Sequence, residues 1–342
     1  MKKTTIAICA AAALLLCACA KEGTVGKNEF AKLYLDSWVT VQKEQHPEYV
    51  WRQSSLGCWI LAETPGTGSE IGDGDDFPYI RYDLTTYDLE GNVQNTTSAE
   101  LAKKLNTYSP SYYYGPTISI RAMNNLYAGV EDLFKEMRVG GYMKALIPGW
   151  LMTAKRYSSA QKYIDNVTGT NTIYEFKVVE VIEDIEKWEI DSLNRYVAEK
   201  EGLSPADTVK YGFYYIQEKA PSTTEDMPSD TTVYINYTGR LLNGQVFDTT
   251  IERVAKDNDI YSSSRSYKPV RINWASEAED ITMGTSNDSV VDGFSYMLSL
   301  MKPYEKGRAI FWSGLGYKYN GSGSSIPAWS PLIFEIELVD EQ

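Results

Sequence analysis

Val233-Tyr234-Ile235-Asn236-Tyr237-Thr238-Gly239-Arg240-Leu241-Leu242-Asn243-Gly244-Gln245-Val246-Phe247-Asp248 reads as a strand, a tight turn and a returning strand. Val233, Ile235 and Tyr237 alternate with outward-facing positions, the period of two that a half-buried strand requires. Asn243-Gly244 is the pair that a two-residue hairpin turn prefers, because its central residues need positive φ. Further along, Val291, Phe294, Leu298 and Met301 recur at helical spacing, and Phe334, Ile336 and Leu338 alternate in a last strand. Strands enclosing one short helix specify an α+β unit with an antiparallel sheet.

The same order of elements occurs earlier in the chain. Sliding the sequence along itself lines up Asp36-Ser37 with Asp191-Ser192, Glu44 with Glu199, Gly57 with Gly212 and Glu63 with Glu218. It also lines up Tyr79-Ile80 with Tyr234-Ile235 and Tyr82 with Tyr237. Beyond this stretch the spacing drifts. Gly129 then matches Gly293, Met137 matches Met301, and Tyr174-Glu175-Phe176-Lys177-Val178 resembles Phe334-Glu335-Ile336-Glu337-Leu338. Val130, Leu133, Phe134 and Met137 repeat the helical spacing. The chain is therefore read as two diverged copies of one unit. Each opens with a helical stretch, about 28–45 and 185–200, followed by a strand introduced by Gly57 or Gly212. Pro221 to Asp230 is a Ser/Thr/Pro-rich loop, and Asp73-Gly74-Asp75-Asp76 lacks the ligand spacing of a calcium loop and reads as a solvated turn. Residues 251–287 show no clear period and are read mostly as surface insertion.

The N-terminus has the pattern of an export signal. Lys2-Lys3 precede an apolar run from Ile6 to Leu16 that is too short for a permanent membrane span. It ends in Leu16-Cys17-Ala18-Cys19, similar to a bacterial lipobox. Cleavage before Cys19 and acylation of its thiol would remove residues 1–18 and leave Cys58 as the free cysteine, so no intramolecular disulfide is expected. The 342-residue chain carries a net charge of −13 and a single histidine, His46. An acidic chain without a basic block does not suit nucleic acid. One histidine argues against a Ser-His-Asp triad or a multi-histidine metal site. No metal and no cofactor is expected.

Three islands of the second copy carry a family resemblance: Tyr237-Thr238-Gly239 with Asn243-Gly244-Gln245-Val246-Phe247-Asp248; Val290-Val291-Asp292-Gly293-Phe294 with Met301 and Gly307; and Gly316-Tyr317, Ile326-Pro327 and Leu332-Ile333-Phe334-Glu335. In order they resemble the Y-x-G, D-G-x-x-F-D, V-I-x-G-W, A-Y-G, I-P-P and L-x-F-x-V-E-L signatures of FKBP-type peptidyl-prolyl isomerases, over about residues 212–340. The resemblance implies two tandem FKBP-like domains, 19–184 and 185–342, each an antiparallel sheet around a short helix and each preceded by a helical segment. It implies an apolar cup for the proline ring lined by Tyr237, Phe247, Val290, Val291, Phe294, Ile326 and Phe334. Tyr317 would donate its hydroxyl to a substrate carbonyl, the Val291 N–H would hold another, and Asp248 would be a polar acceptor at the rim. The implied partners are proline-containing polypeptides, with macrolides as a further ligand class.

Rotation about an X-Pro bond breaks amide resonance against a barrier of roughly 18–20 kcal/mol but transfers no proton. The lack of a conventional acid–base set therefore fits this chemistry. Departures from the pattern are Phe294 in place of the floor Trp, Val270 in place of an aromatic, Lys318 after Tyr317 and Ala328 after Pro327. The first copy departs further. Gln94-Asn95 stands for Phe-Asp, Val130 for the floor aromatic, and no Tyr-Gly follows Ile147-Pro148. This copy is expected to keep the fold and lose the cup. The leading expectation is a prolyl isomerase anchored through Cys19 to a bacterial envelope membrane, facing periplasm or cell surface and assisting folding of exported proteins. The alternatives are a non-catalytic FKBP-like binding module and, more remotely, a structural surface lipoprotein of a nutrient-uptake system.

Overall fold

The computed structural model describes residues 27–341; the expected signal peptide and Cys19 lie outside them. The first copy begins with helix α1 (Lys27–Gln45) and continues through β1 (Arg52–Gln53), β2 (Trp59–Thr64), β3 (Tyr79–Tyr87), β4 (Val93–Thr96), α2 (Ala99–Lys104), β5 (Thr117–Ile120), α3 (Ala128–Phe134), β6 (Tyr142–Ile147), α4 (Ala160–Asn166) and β7 (Thr172–Ile182). The second opens with α5 (Ile185–Glu201) and continues through β8 (Phe213–Lys219), β9 (Thr231–Leu241), β10 (Val246–Thr249), α6 (Glu252–Asp257), β11 (Val270–Trp274), β12 (Thr282–Met283), β13 (Asp288–Ser289), α7 (Asp292–Leu300), β14 (Lys306–Phe311) and β15 (Leu332–Val339).

The two sheets share one topology. The first runs β2-β6-β7-β3 with β4 and β5 both on β3; the second runs β8-β14-β15-β9 with β10 and β11 both on β9. Every pairing is antiparallel. The chain thus folds as two tandem α+β domains of one kind. Both central helices touch their sheets through a glycine. A Cβ on Gly129 would come within 2.4 Å of Ile147, and one on Gly293 within 2.5 Å of Phe311.

In the second domain, strand alternation sorts side chains into two layers. Phe213, Phe311, Phe334 and Ile336 face α7 in the main core, while Tyr214, Ile310 and Ile333 pack on Leu193 and Val197 of α5. Helix α5 has clear ends. The Asp184 side chain accepts from the Lys187 N–H, and Gly202 closes the helix in the left-handed region at φ 68°.

Hydrogen-bond register corrects the alignment of the two copies. Leu84 stands opposite Phe176 and Tyr237 opposite Ile336; Tyr82 stands opposite Val178 and Ile235 opposite Leu338. Since Phe176 corresponds to Ile336 and Val178 to Leu338, the counterpart of Tyr237 is Leu84, not Tyr82. The sequence match was slipped by two residues along β3. A slip of two keeps every side chain on its own face, so alternation alone does not reveal it. The threonine pairs Thr85–Thr96 and Thr238–Thr249, each with hydroxyl oxygens 2.9 Å apart, mark the true register.

Two further expectations are corrected. The hairpin turn has three residues, not two. Gly244 N–H bonds the Leu241 carbonyl and Leu241 N–H bonds the Gln245 carbonyl, with Gly244 at φ 89°; Asp88, Gly91 and Asn92 repeat the arrangement with Gly91 at φ 87°. Residues 251–287 are not mainly insertion either, because they hold α6 and β11. The segment from α6 to β11 also has a counterpart in the first copy. Tyr261 stacks on Tyr267 at 5.3 Å with Ser262 N–H donating to the Tyr267 hydroxyl, and Tyr108 stacks on Tyr114 at 5.2 Å with Ser109 N–H donating to the Tyr114 hydroxyl. Lys256 sits over Tyr261 as Lys103 sits over Tyr108. The loop belongs to the repeated unit. Its polar, aperiodic sequence hides that kinship, because its order comes from ring stacking and not from a buried face.

Candidate functional site

Five separate segments of the second domain meet at one cavity of about 620 Å³. Strand β9 supplies Tyr237, β10 supplies Phe247 and Asp248, and the approach to α7 supplies Val290 and Val291 with Phe294 one turn on. The segment after β14 supplies Tyr317 and Ile326, and β15 supplies Phe334. All nine residues singled out in the sequence line this cavity. The cavity also takes in Arg265, Met283, Ser289, Ser322 and Ser325, which sequence reasoning did not single out.

The apolar part is a nest of rings. Phe294 lies edge-on to Tyr237 at 5.7 Å and to Phe334 at 5.0 Å; Phe247 meets Phe334 edge-on at 5.6 Å. These separations and tilts are those that aromatic quadrupoles favour. Phe311 lies parallel to Phe334 at 5.9 Å and supports it within the core. Phe294, with its 2% exposure, forms the floor where the family pattern has Trp. Gly239 of the Y-x-G signature is explained by close approach: a Cβ there would lie 2.4 Å from the Phe247 ring. The bulge between Val246 and Asp248 turns both β10 side chains toward the cup.

The polar edge is built around Asp248. Its Oδ2 accepts the Tyr237 hydroxyl at 2.5 Å, and its Oδ1 faces the Arg265 guanidinium as an ion pair. Oδ1 has no well-aligned hydrogen bond, so the contact with Arg265 is a charge contact at a half-open rim. Burial first, and then the Asp248 charge, holds the Tyr237 phenol well above its usual range. Burial also raises Tyr317, with Asp248 as the second cause. Both phenols therefore keep their protons at neutral pH. Among the described residues neither the Tyr317 hydroxyl nor the Val291 N–H has a hydrogen-bond partner. The cup thus presents two unused donors above an apolar floor. Arg265 is carried by the Tyr261–Tyr267 loop and lies over Tyr267 at 5.6 Å. The paired tyrosines flanking Arg265 are the one signal in the sequence that could have drawn attention to it.

The corresponding edge of the first domain is dismantled. By register, Leu84 stands for Tyr237, Gln94 for Phe247 and Asn95 for Asp248. The stacked-tyrosine loop places Tyr112 where Arg265 stands. The acid, the phenol that binds it and the arginine that faces it are absent together.

The fold and this cup define a class: an α+β domain whose sheet wraps a short helix to enclose an aromatic-floored pocket. Residues 223–339, within the second domain, match the family model of the FKBP-type peptidyl-prolyl cis-trans isomerases. Among relatives, a probable FKBP-type peptidyl-prolyl cis-trans isomerase of Haemophilus influenzae is 30% identical over 158 residues, 46% of this chain and 54% of that protein. FK506-binding protein 2 of Dictyostelium discoideum is 29% identical over 138 residues, 40% of this chain and 84% of that protein. The chain therefore spans about half the length of the Haemophilus relative. A solved peptidyl-prolyl cis-trans isomerase of Pseudomonas syringae pv. tomato is 22% identical with a TM-score of 0.31, covering 46% of this chain and 96% of that structure.

Proposed function

We propose that the protein is a peptidyl-prolyl cis-trans isomerase that assists the folding of exported polypeptides, held to a bacterial envelope membrane by acylated Cys19. The observation that carries this reading is the convergence of Tyr237, Phe247, Asp248, Val290, Val291, Phe294, Tyr317, Ile326 and Phe334 on one cup. The proline ring enters the nest formed by Tyr237, Phe247, Phe294 and Phe334. The Tyr317 hydroxyl and the Val291 N–H take substrate carbonyls and fix the chain on either side of the X-Pro bond. As the amide twists it loses conjugation, and a dry aromatic floor with oriented donors suits that state better than water does. A thousandfold acceleration asks for only about 4 kcal/mol of differential stabilisation. Asp248 is already engaged by Tyr237 and Arg265, so its role is to hold the rim, with no proton to transfer.

The first domain, with Leu84, Gln94 and Asn95 at the equivalent edge, does not turn over prolyl bonds in this reading. Macrolides are a second ligand class for the second domain's cup. The test is refolding of a denatured protein whose slow phase is set by proline isomerisation. Substoichiometric full chain accelerates that phase if the proposal holds. An unchanged slow phase, with the chain binding the unfolded protein stoichiometrically, favours the non-catalytic binding module.

A further inference from the structure

The stacked-tyrosine loop does different things in the two domains. In the second it turns back on its own cup and brings Arg265 to Asp248. In the first the equivalent loop, Tyr108 to Tyr114, has no such acid to meet and reaches across to the second domain. There it bonds residues close in the chain to two walls of the cup. The Tyr113 N–H donates to the Ser324 carbonyl at 2.7 Å, between the wall residues Ser322 and Ile326. The Tyr112 carbonyl accepts from Gln245 Nε2 at 3.0 Å, two residues before Phe247. The Tyr113 ring packs against the second domain's core. A second support comes from β3, where Tyr79 meets Trp329 edge-on at 5.3 Å.

The wall so supported has little regular structure of its own. Between β14 and β15 it is held by the Ser322–Ile326 bridge and by the Trp329 N–H to Lys318 carbonyl bond. Lys318 and Trp329 both have positive φ, at 53° and 51°, conformations that cost energy for residues with side chains and persist only when surroundings enforce them. Tyr317, Ser322, Ser325 and Ile326 of the cup all ride on this segment. The surroundings of this segment include Tyr79 and Tyr113 of the other domain.

We propose that the first domain is a positioning element of the second domain's cup: its Tyr108–Tyr114 loop, with Tyr79, clamps the 318–329 wall and the Gln245 hairpin in the geometry that binds the prolyl peptide. This rests on the reading of the cup as a prolyl-peptide site. It gives the first domain a role that needs no cup of its own. It also accounts for the exchange of an arginine for Tyr112 at the loop tip. A loop that no longer serves its own pocket serves its neighbour's.

The test uses the full chain with Tyr79→Ala and Tyr113→Ala combined, and Tyr79→Phe with Tyr113→Phe as the conservative control. Amide hydrogen exchange is followed at Ser322, Ile326 and Trp329, and at Glu335 and Ile336 in β15. The proposal expects the three wall amides to exchange at least about tenfold faster in the alanine variant while the β15 amides stay within about twofold, a local and not a global opening. It expects KM for an X-Pro peptide to rise about threefold with kcat within about twofold, because the wall holds substrate and the floor is untouched. The phenylalanine variant restores both. Wall amides that exchange at the wild-type rate overturn the proposal, as do wall and β15 amides that accelerate together. A loosened wall with unchanged KM overturns it as well. The exchange measurement needs no activity. A wild-type chain inactive on prolyl peptides would sink the isomerase reading, while exchange still decides whether the clamp exists.

Discussion

Tyr317→Phe separates a substrate-binding group from a structural one. The Tyr317 hydroxyl has no hydrogen-bond partner among the described residues, although the ring is half-buried in the cup wall. Removing one oxygen and keeping the ring therefore breaks nothing in the free protein. The thermal midpoint should stay within about 1 °C, since even 1 kcal/mol would move a domain of this size by several degrees. In the proposed complex the hydroxyl donates to a substrate carbonyl. A neutral hydrogen bond is worth roughly 0.5–1.5 kcal/mol, or about a two- to tenfold loss of kcat/KM. Tyr237→Phe provides the contrast. That hydroxyl bonds Asp248 at 2.5 Å in the free protein, so its loss should lower stability as well as rate. A protease-coupled assay on an X-Pro peptide, with melts of both variants, reads the two effects. A Tyr317→Phe variant that melts several degrees low at full activity would refute the reasoning. So would a loss beyond about a thousandfold, since one neutral bond cannot supply it.

Three other expectations concern Gly239, the two cup phenols and Cys19. Gly239→Ala puts a methyl into the Phe247 ring and should cost about 1–3 kcal/mol in denaturant unfolding, with reduced activity; a variant as stable and active as wild type would mean the ring has room. Tyr237 and Tyr317 have raised pKa values in the folded chain, so they hold their protons after the unfolded chain has released them. Their contribution to stability should then be constant below about pH 10 and decline above it, as the unfolded state ionises first. Denaturant midpoints that hold steady or rise from about pH 9 to 11 would contradict this, and a bell-shaped rate between about pH 6 and 8 would imply an essential acid and base. Cys19→Ser should abolish metabolic fatty-acid labelling and leave an unprocessed precursor, whereas labelling that depends on Cys17 would move the cleavage site.

Much of the second domain is legible in its residues because they are held by local pattern. Alternation in β9 and β15, helical spacing through Phe294 and Leu298, and the glycines under Phe247 and Phe311 each leave a mark on the sequence. The cup assembles from those marks. What escaped is what tertiary contact alone decides. The slip that paired Tyr82 with Tyr237 survived because strand faces repeat every two residues. Arg265 escaped because its loop is ordered by Tyr261 stacking on Tyr267, a contact with no periodic signature. The Tyr113–Ser324 bond joins backbone groups, which every residue carries, so no side-chain type announces it.

The most direct measurement is catalysed isomerisation of an X-Pro peptide by the full chain, set against the same chain with Phe247→Gln and Asp248→Asn. That pair is the one the first domain carries as Gln94 and Asn95 on the same hairpin, so the fold should tolerate it. The account predicts a rate that rises in proportion to wild-type concentration and falls at least about a hundredfold in the double variant, consistent with loss of an aromatic wall and the Asp248 anchor together. Circular dichroism should be unchanged. No acceleration by the wild type over the spontaneous rate, or equal acceleration by the two chains, would contradict the claim that this cup is a prolyl isomerase site.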